Sequence, residues 1–246
     1  MSILAEHLAK IHAKYGIYSE TQINGDVDEN ILDYFEGKAE LNYLKEYYKG
    51  YLAHYEKEQK GGWSNNTFTD DNLSRSTDLP FIGTEVLEKG KANYFFIFKG
   101  SLQKPEKLSM TVLSCLWLYK DITPHIKILN QFWPRTQNYH PLVANLGITP
   151  QVARNSYVTD FARVANVNGR RDTRKSKEVL LAEIELLKPE IVVLVGAEPR
   201  DAFFKEINDT PERYIHVPFS LKGVPKQTQE EGPALYKELR NRLEYV

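Results

Sequence analysis

From Tyr94 to the last helix, apolar runs of strand length alternate with segments of helical period, and this alternation constrains the fold more than any other feature of the chain. The strand-like runs are Tyr94–Phe98, Tyr157–Thr159 continuing towards Asp160, Ile191–Val195 and Tyr214–Val217. Ile191–Val195 is the strongest, with β-branched residues or leucine at every position leading into Gly196. A strand that is apolar at each position is covered on both faces, whereas a strand with one wet face alternates. Helical segments are read at Met110–Tyr119 and at His125–Trp133, the latter bounded by Pro124 and Pro134. Thr173–Lys188 is a third, with Val179, Leu180, Ile184 and Leu187 on its apolar face and Pro189 as its stop. Pro199 opens a helix through Ala202, Phe203 and Phe204, and Pro233 starts a last one with Leu235, Tyr236, Leu239 and Leu243 on one face. Strands and helices in this order predict a three-layer α/β/α sandwich around a central, mostly parallel four-stranded sheet. Ligands of such sheets sit beyond the carboxyl ends of the strands. The candidate segments are therefore Lys99–Gln103, Asp160–Arg163, Gly196–Glu198 and His216–Ser220.

The N-terminal part reads differently. Leu4, Leu8, Ile11 and Tyr15 fall on one helical face, as do Leu41, Leu44, Tyr48, Tyr51 and Tyr55. Tyrosine buries a ring and keeps a wet hydroxyl, so this stripe suits a partner-facing or base-stacking surface, or packing on the main domain. Gly61–Asp78 is polar and aperiodic and reads as a linker. The expected organisation is a helical, tyrosine-rich appendage with its linker over 1–78 and an α/β domain over 79–246.

Composition removes several classes of function. The formal net charge of −1 supplies no global basic field, so nucleic-acid contact requires a local patch. The single cysteine, Cys115, excludes an intramolecular disulfide, a four-thiolate zinc site and a cysteine-ligated iron–sulfur cluster, and it reads as a small buried hydrophobe. No metal and no organic cofactor is expected. No run approaches the about 18 apolar residues of a membrane span, and Met1–Lys14 lacks the pattern of a secretory signal. The expected location is cytoplasmic.

Tyr157-Val-Thr-Asp160, a basic loop, Glu183-Ile-Glu-Leu-Leu-Lys-Pro189 and Ile191-Val-Val-Leu-Val-Gly-Ala197 together resemble the uracil-DNA glycosylase superfamily. Members of that superfamily often carry a strand ending in Thr-Asn, a helix ending in Lys-Pro and a strand ending in Leu-Gly-Ala. Asn130-Gln-Phe-Trp133 is similar to an element of the branch specific for mismatched uracil and thymine. His216-Val-Pro-Phe-Ser220 falls where the superfamily has its His-Pro-Ser or Asn-Pro-Ser loop. The similarity covers Phe81 to Val246, and this chain lacks the iron–sulfur cysteines of some members.

The resemblance implies a DNA glycosylase that flips a base from the stack and hydrolyses its N-glycosidic bond. Its alternative is a superfamily relative that binds nucleic acid or a nucleotide without cleaving. Carried over by position, Gln103 would hold the attacking water and His216 would steady the departing base. Gly100, Ser101, Phe132 and Ser220 would line the base pocket. Two alignments of the last loop stay open, one with His216 as the motif histidine and one with Phe219 at that place. Asp160 stands where the family has its base-reading asparagine. An ionised carboxylate offers only acceptors, which suits a base with an exocyclic amine, such as cytosine or a modified cytosine, better than uracil. Asp160 equally suits a strand-end cap or an ion pair with Arg163. Arg163, Arg170, Arg171, Arg174 and Lys175, with Lys177 beside them, would meet DNA phosphates. The expected partner is DNA, with a protein partner at the N-terminal tyrosines.

Overall fold

The structure is a computed structural model that describes residues 3–15, 80–99, 144–161, 173–219 and 225–244. In chain order the elements are α1 (Ile3–Lys14), β1 (Phe81–Ile82), α2 (Thr84–Lys89), β2 (Tyr94–Phe98), α3 (Pro150–Arg154), β3 (Ser156–Asp160), α4 (Thr173–Leu187), β4 (Ile191–Val195), α5 (Ala197–Ala202), α6 (Phe204–Asp209), β5 (Tyr214–Val217) and α7 (Lys226–Glu244). The stretch Gly61–Asp78, the segments Met110–Tyr119 and His125–Trp133, Cys115 and the stripe Leu41–Tyr55 lie outside the described residues.

The protein is an α/β fold built on a mixed sheet of five strands, not four, in the order β1-β3-β2-β4-β5. Strands β2 to β5 are parallel, and the additional β1 runs antiparallel to β3, pairing Phe81 with Val158 and Ile82 with Tyr157. Two residues are too few to show a period, which is why β1 leaves no pattern in the sequence. Every residue of β2 and β4 is buried, as their unbroken apolar runs require.

Side chains of successive strand residues point to opposite faces. One face carries Phe95, Ile97, Tyr157, Val192, Leu194 and Tyr214, which form a core with Leu4 and Leu8 of α1, Leu180 and Ile184 of α4, and Phe203. The other carries Phe96, Phe98, Val158, Val193, Val195 and Val217, packed with Val152 of α3 and Tyr236, Leu239 and Leu243 of α7. The helix read in the N-terminal appendage thus contributes to the core of the α/β fold, with Ile11 and Tyr15 at its margin.

Local chemistry sets the joints. Thr149 caps α3 by accepting from the Val152 amide at 3.2 Å, ahead of a proline in the first turn. Gly83 passes so close to α3 that a β-carbon there would lie 2.2 Å from the Arg154 carbonyl oxygen. Two helix boundaries differ from those read in the sequence. α7 begins at Lys226 and contains Pro233 in its interior, because its first turns are polar and exposed and offer no apolar periodicity. The helix read from Pro199 breaks at Phe203, which turns inward and is fully buried between α5 and α6.

Candidate functional site

The chain leaves β2 for β3 on one side and later returns to β4 on the other, so the strand order reverses between β2 and β4. In open parallel sheets such a reversal is where ligands sit, outside the carboxyl ends of the strands. Lys99 follows β2 and Gly196 follows β4 at this point. Gly196 has φ 99° and ψ 172°, a conformation essentially confined to glycine. A β-carbon built on it would lie 3.5 Å from Phe219 Cβ and 3.9 Å from Lys99 Cβ. Three strand ends therefore meet around a bare backbone, with Phe219 37% exposed and Lys99 in water.

Backbone bonds fix this edge. Phe161 N–H donates to the Phe98 carbonyl at 2.7 Å, and Gly196 N–H donates to the Val217 carbonyl at 2.9 Å. Tyr236 of α7 donates its buried hydroxyl to the Pro218 carbonyl at 2.5 Å, which holds the turn that presents Phe219.

Asp160 is 2% exposed at the end of β3, opposite Phe98. The register puts it on the face of Val158 and Phe98, the α7 face. His216 pairs with Leu194 and lies on the other face, with Ile97 and Thr159 in the same row. Asp160 and His216 therefore do not converge on one pocket. The β5 residue that shares the face of Asp160 is Val217.

His216 is half-buried, and its Nε2 has no hydrogen-bond partner among the described residues. Burial, then the Arg200 charge, lowers its pKa to about 4, against weaker opposing effects from the Gly196 backbone and Asp201. The imidazole is neutral at neutral pH and brings no full positive charge to a departing base. Thr159 Oγ1, on the same face, is buried without a hydrogen-bond partner among the described residues.

Of the proposed phosphate-facing residues, Arg174 and Lys175 occupy the exposed first turn of α4, at the carboxyl edge. Arg174 pairs with Glu178 at 2.9 Å. Lys177 pairs with Glu206 at 2.8 Å and lies 5.3 Å from the Phe203 ring centroid. Arg163, Arg170 and Arg171 lie outside the described residues, as do Gly100, Ser101, Gln103, Phe132 and Ser220. Among the described residues no cluster of three or more His, Cys, Asp or Glu side chains is placed to hold a metal, and no helix is long and apolar enough to cross a membrane.

Two further features went unread in the sequence. A cavity of about 500 Å³ lies at the opposite, amino edge, lined by Asn93, Tyr94, Asn155, Arg240 and Leu243 among others. Its cations are engaged locally, Lys89 with Glu85 and Arg240 with the Asn145 carbonyl. The second is a buried polar cluster. His12 Nε2 meets Glu183 Oε1 at 2.5 Å, and the Tyr157 hydroxyl donates to the same oxygen at 2.8 Å. The sequence carries a signal for it, since Glu183 falls between Val179 and Leu187 at four-residue steps and His12 continues the Leu4, Leu8 row.

A scan of protein-family models finds none that matches this chain, and no curated protein matches it.

Proposed function

We propose that the carboxyl edge binds a base of nucleic acid or of a nucleotide, on a three-layer α/β/α sandwich of the uracil-DNA glycosylase type, without cleavage through His216. Two apolar cores on opposite faces of the sheet support the layered reading. The observation that carries the binding reading is Gly196 at φ 99°, bare between a part-exposed phenylalanine and a lysine at the point where strand order reverses. A planar base can approach such backbone closely and stack on Phe219, while phosphate meets Lys99, Arg174 and Lys175. The location of His216 on the far face, uncharged at neutral pH, favours binding over hydrolysis.

One observation favours a second reading, hydrolysis of the N-glycosidic bond. Asp160 is a buried carboxylate at the end of β3, where an acceptor can orient water or take a hydrogen bond from the exocyclic amine of a cytosine-type base.

Fluorescence anisotropy with single-stranded oligonucleotides and mononucleotides tests the first reading, and alkali treatment of the same oligonucleotides, carrying a panel of modified bases, tests the second. We expect salt-dependent binding that Phe219→Ala weakens by about 5–150-fold, the equivalent of one lost stacking contact of ~1–3 kcal/mol. Lys99→Glu should weaken binding and flatten its salt dependence. No alkali-labile sites are expected. Abasic sites that form with the parent protein and vanish in His216→Gln would overturn the binding-only reading, and binding indifferent to Phe219 and Lys99 would remove the site.

A further inference from the structure

We propose that α1 is a proton-gated clasp, whose docking on α4 is tied to one proton held between His12 and Glu183, so that the helix lifts as pH rises. The three side chains of this cluster come from three separate elements. His12 belongs to α1, Glu183 to α4 and Tyr157 to β3, and all three are fully buried. The carboxylate oxygen Glu183 Oε1 meets both the imidazole, at 2.5 Å, and the tyrosine hydroxyl, at 2.8 Å. Glu183 is the one charged residue of α4 that is buried.

An isolated charge in apolar surroundings is expensive, and a carboxylate facing an imidazole is electrically neutral only when the pair holds one proton. His12 stands in the last turn of α1, where the helix dipole also favours a cation. Among the described elements α1 packs against α4, which presents Glu183 to His12, while β3 adds the Tyr157 hydroxyl. On α1 itself, Glu6 and Lys10 pair with each other at the surface, and His7 and Lys14 are exposed.

When α1 lifts, the imidazole enters water, where above about pH 6.5 it is mostly uncharged. Lifting therefore releases a proton, and rising pH favours it by mass action. Among the described residues, the apolar side chains of Leu4, Ala5, Leu8 and Ala9 also hold α1, with Ile11 and Tyr15 at the margin. A helix of 12 residues is marginal in water on its own, so lifting and unwinding go together and expose the amides of α1.

Hydrogen–deuterium exchange of the full chain between pH 6 and 9 reads this directly. The rate of the peptide covering residues 3–15 is divided by the intrinsic rate at each pH, with β4 as the internal reference. The opening constant of α1 should climb above about pH 6.5, approaching tenfold per pH unit, the slope for one proton released per opening. Glu183→Gln and His12→Asn should expose α1 more at pH 6 and lose the slope. Tyr157→Phe leaves the pair in place and should keep it. A flat profile in the parent protein, which requires no variant to fold, overturns the proposal, as does a slope that survives in either charge-removing variant.

Discussion

Replacing Gly196 by alanine separates backbone strain from crowding at the carboxyl edge. The added β-carbon would meet Phe219 Cβ at 3.5 Å and Lys99 Cβ at 3.9 Å, both ordinary van der Waals contacts, so there is room for a methyl group. The cost lies in the backbone, because φ 99° with ψ 172° is a region that residues with a β-carbon occupy only at about 1–3 kcal/mol. Relaxing that strain rotates the peptide whose amide bonds the Val217 carbonyl at 2.9 Å, and so moves Phe219 relative to Lys99. Urea denaturation followed by far-ultraviolet circular dichroism is the assay. With a slope of about 2–3 kcal/mol per M, the midpoint should fall by roughly 0.5–1 M at unchanged slope. Gly90→Ala is the control, since φ is 70° there and open space surrounds the position, and left-handed caps cost about 1 kcal/mol. A Gly196→Ala protein with the parent midpoint and unaltered oligonucleotide affinity would refute both the strain and the claim that this glycine shapes the site.

Gly83→Ala should be more damaging than Gly196→Ala, because its β-carbon would overlap the Arg154 and Ala153 carbonyl oxygens at 2.2 and 2.3 Å, and backbone atoms cannot swing aside. A midpoint loss of about 1 M urea or more, or failure to fold, is expected, and a loss no larger than that of Gly90→Ala would contradict it. Leu8→Ala empties a fully buried site on α1 and should cost about 2–5 kcal/mol of α1 docking, read as faster exchange of residues 3–15 with the β4 amides unaffected. His216 should titrate near pH 4 by proton NMR, chiefly through burial. Because its folded pKa is depressed below the ordinary histidine value of 6.5, the folded state holds fewer protons than the unfolded state between those values. Its contribution to stability is therefore present above about pH 6.5 and falls away as pH drops towards 4, a loss that His216→Phe should reduce in a urea–pH series.

β2 and β4 were legible in the sequence because burial on both faces leaves unbroken apolar runs, and β3 and β5 stand where the shorter runs from Tyr157 and Tyr214 lie. α4 was legible because its apolar residues repeat at helical spacing. What escaped has one physical origin, that pattern carries no information where the chain's partner is distant or its own surface is wet. β1 is held by its pairing with β3, and the first turns of α7 face water. His12 and Glu183 each looked like a polar break in an apolar row until the fold brought the two breaks together.

The candidate site shows the same limit more sharply, since a strand inverts its faces at every residue. Placing His216 at the end of β5 was within reach of the sequence, and β5 does contain it. Deciding which side of the sheet it serves required the register, in which His216 aligns with Leu194 and Val217 with Val195. A displacement of one residue thus separates an imidazole that could meet the same ligand as Asp160 from one on the opposite face of the sheet. Phe219, two residues beyond Val217, is instead carried to the edge by the turn that Tyr236 holds through the Pro218 carbonyl. Phe219 is thus positioned by a hydroxyl on α7, the helix that packs on the face of Asp160. Tyr236→Phe should therefore weaken oligonucleotide binding through Phe219 alone. The effect should vanish in a Phe219→Ala background, and equal losses in both backgrounds would show that the two residues act independently.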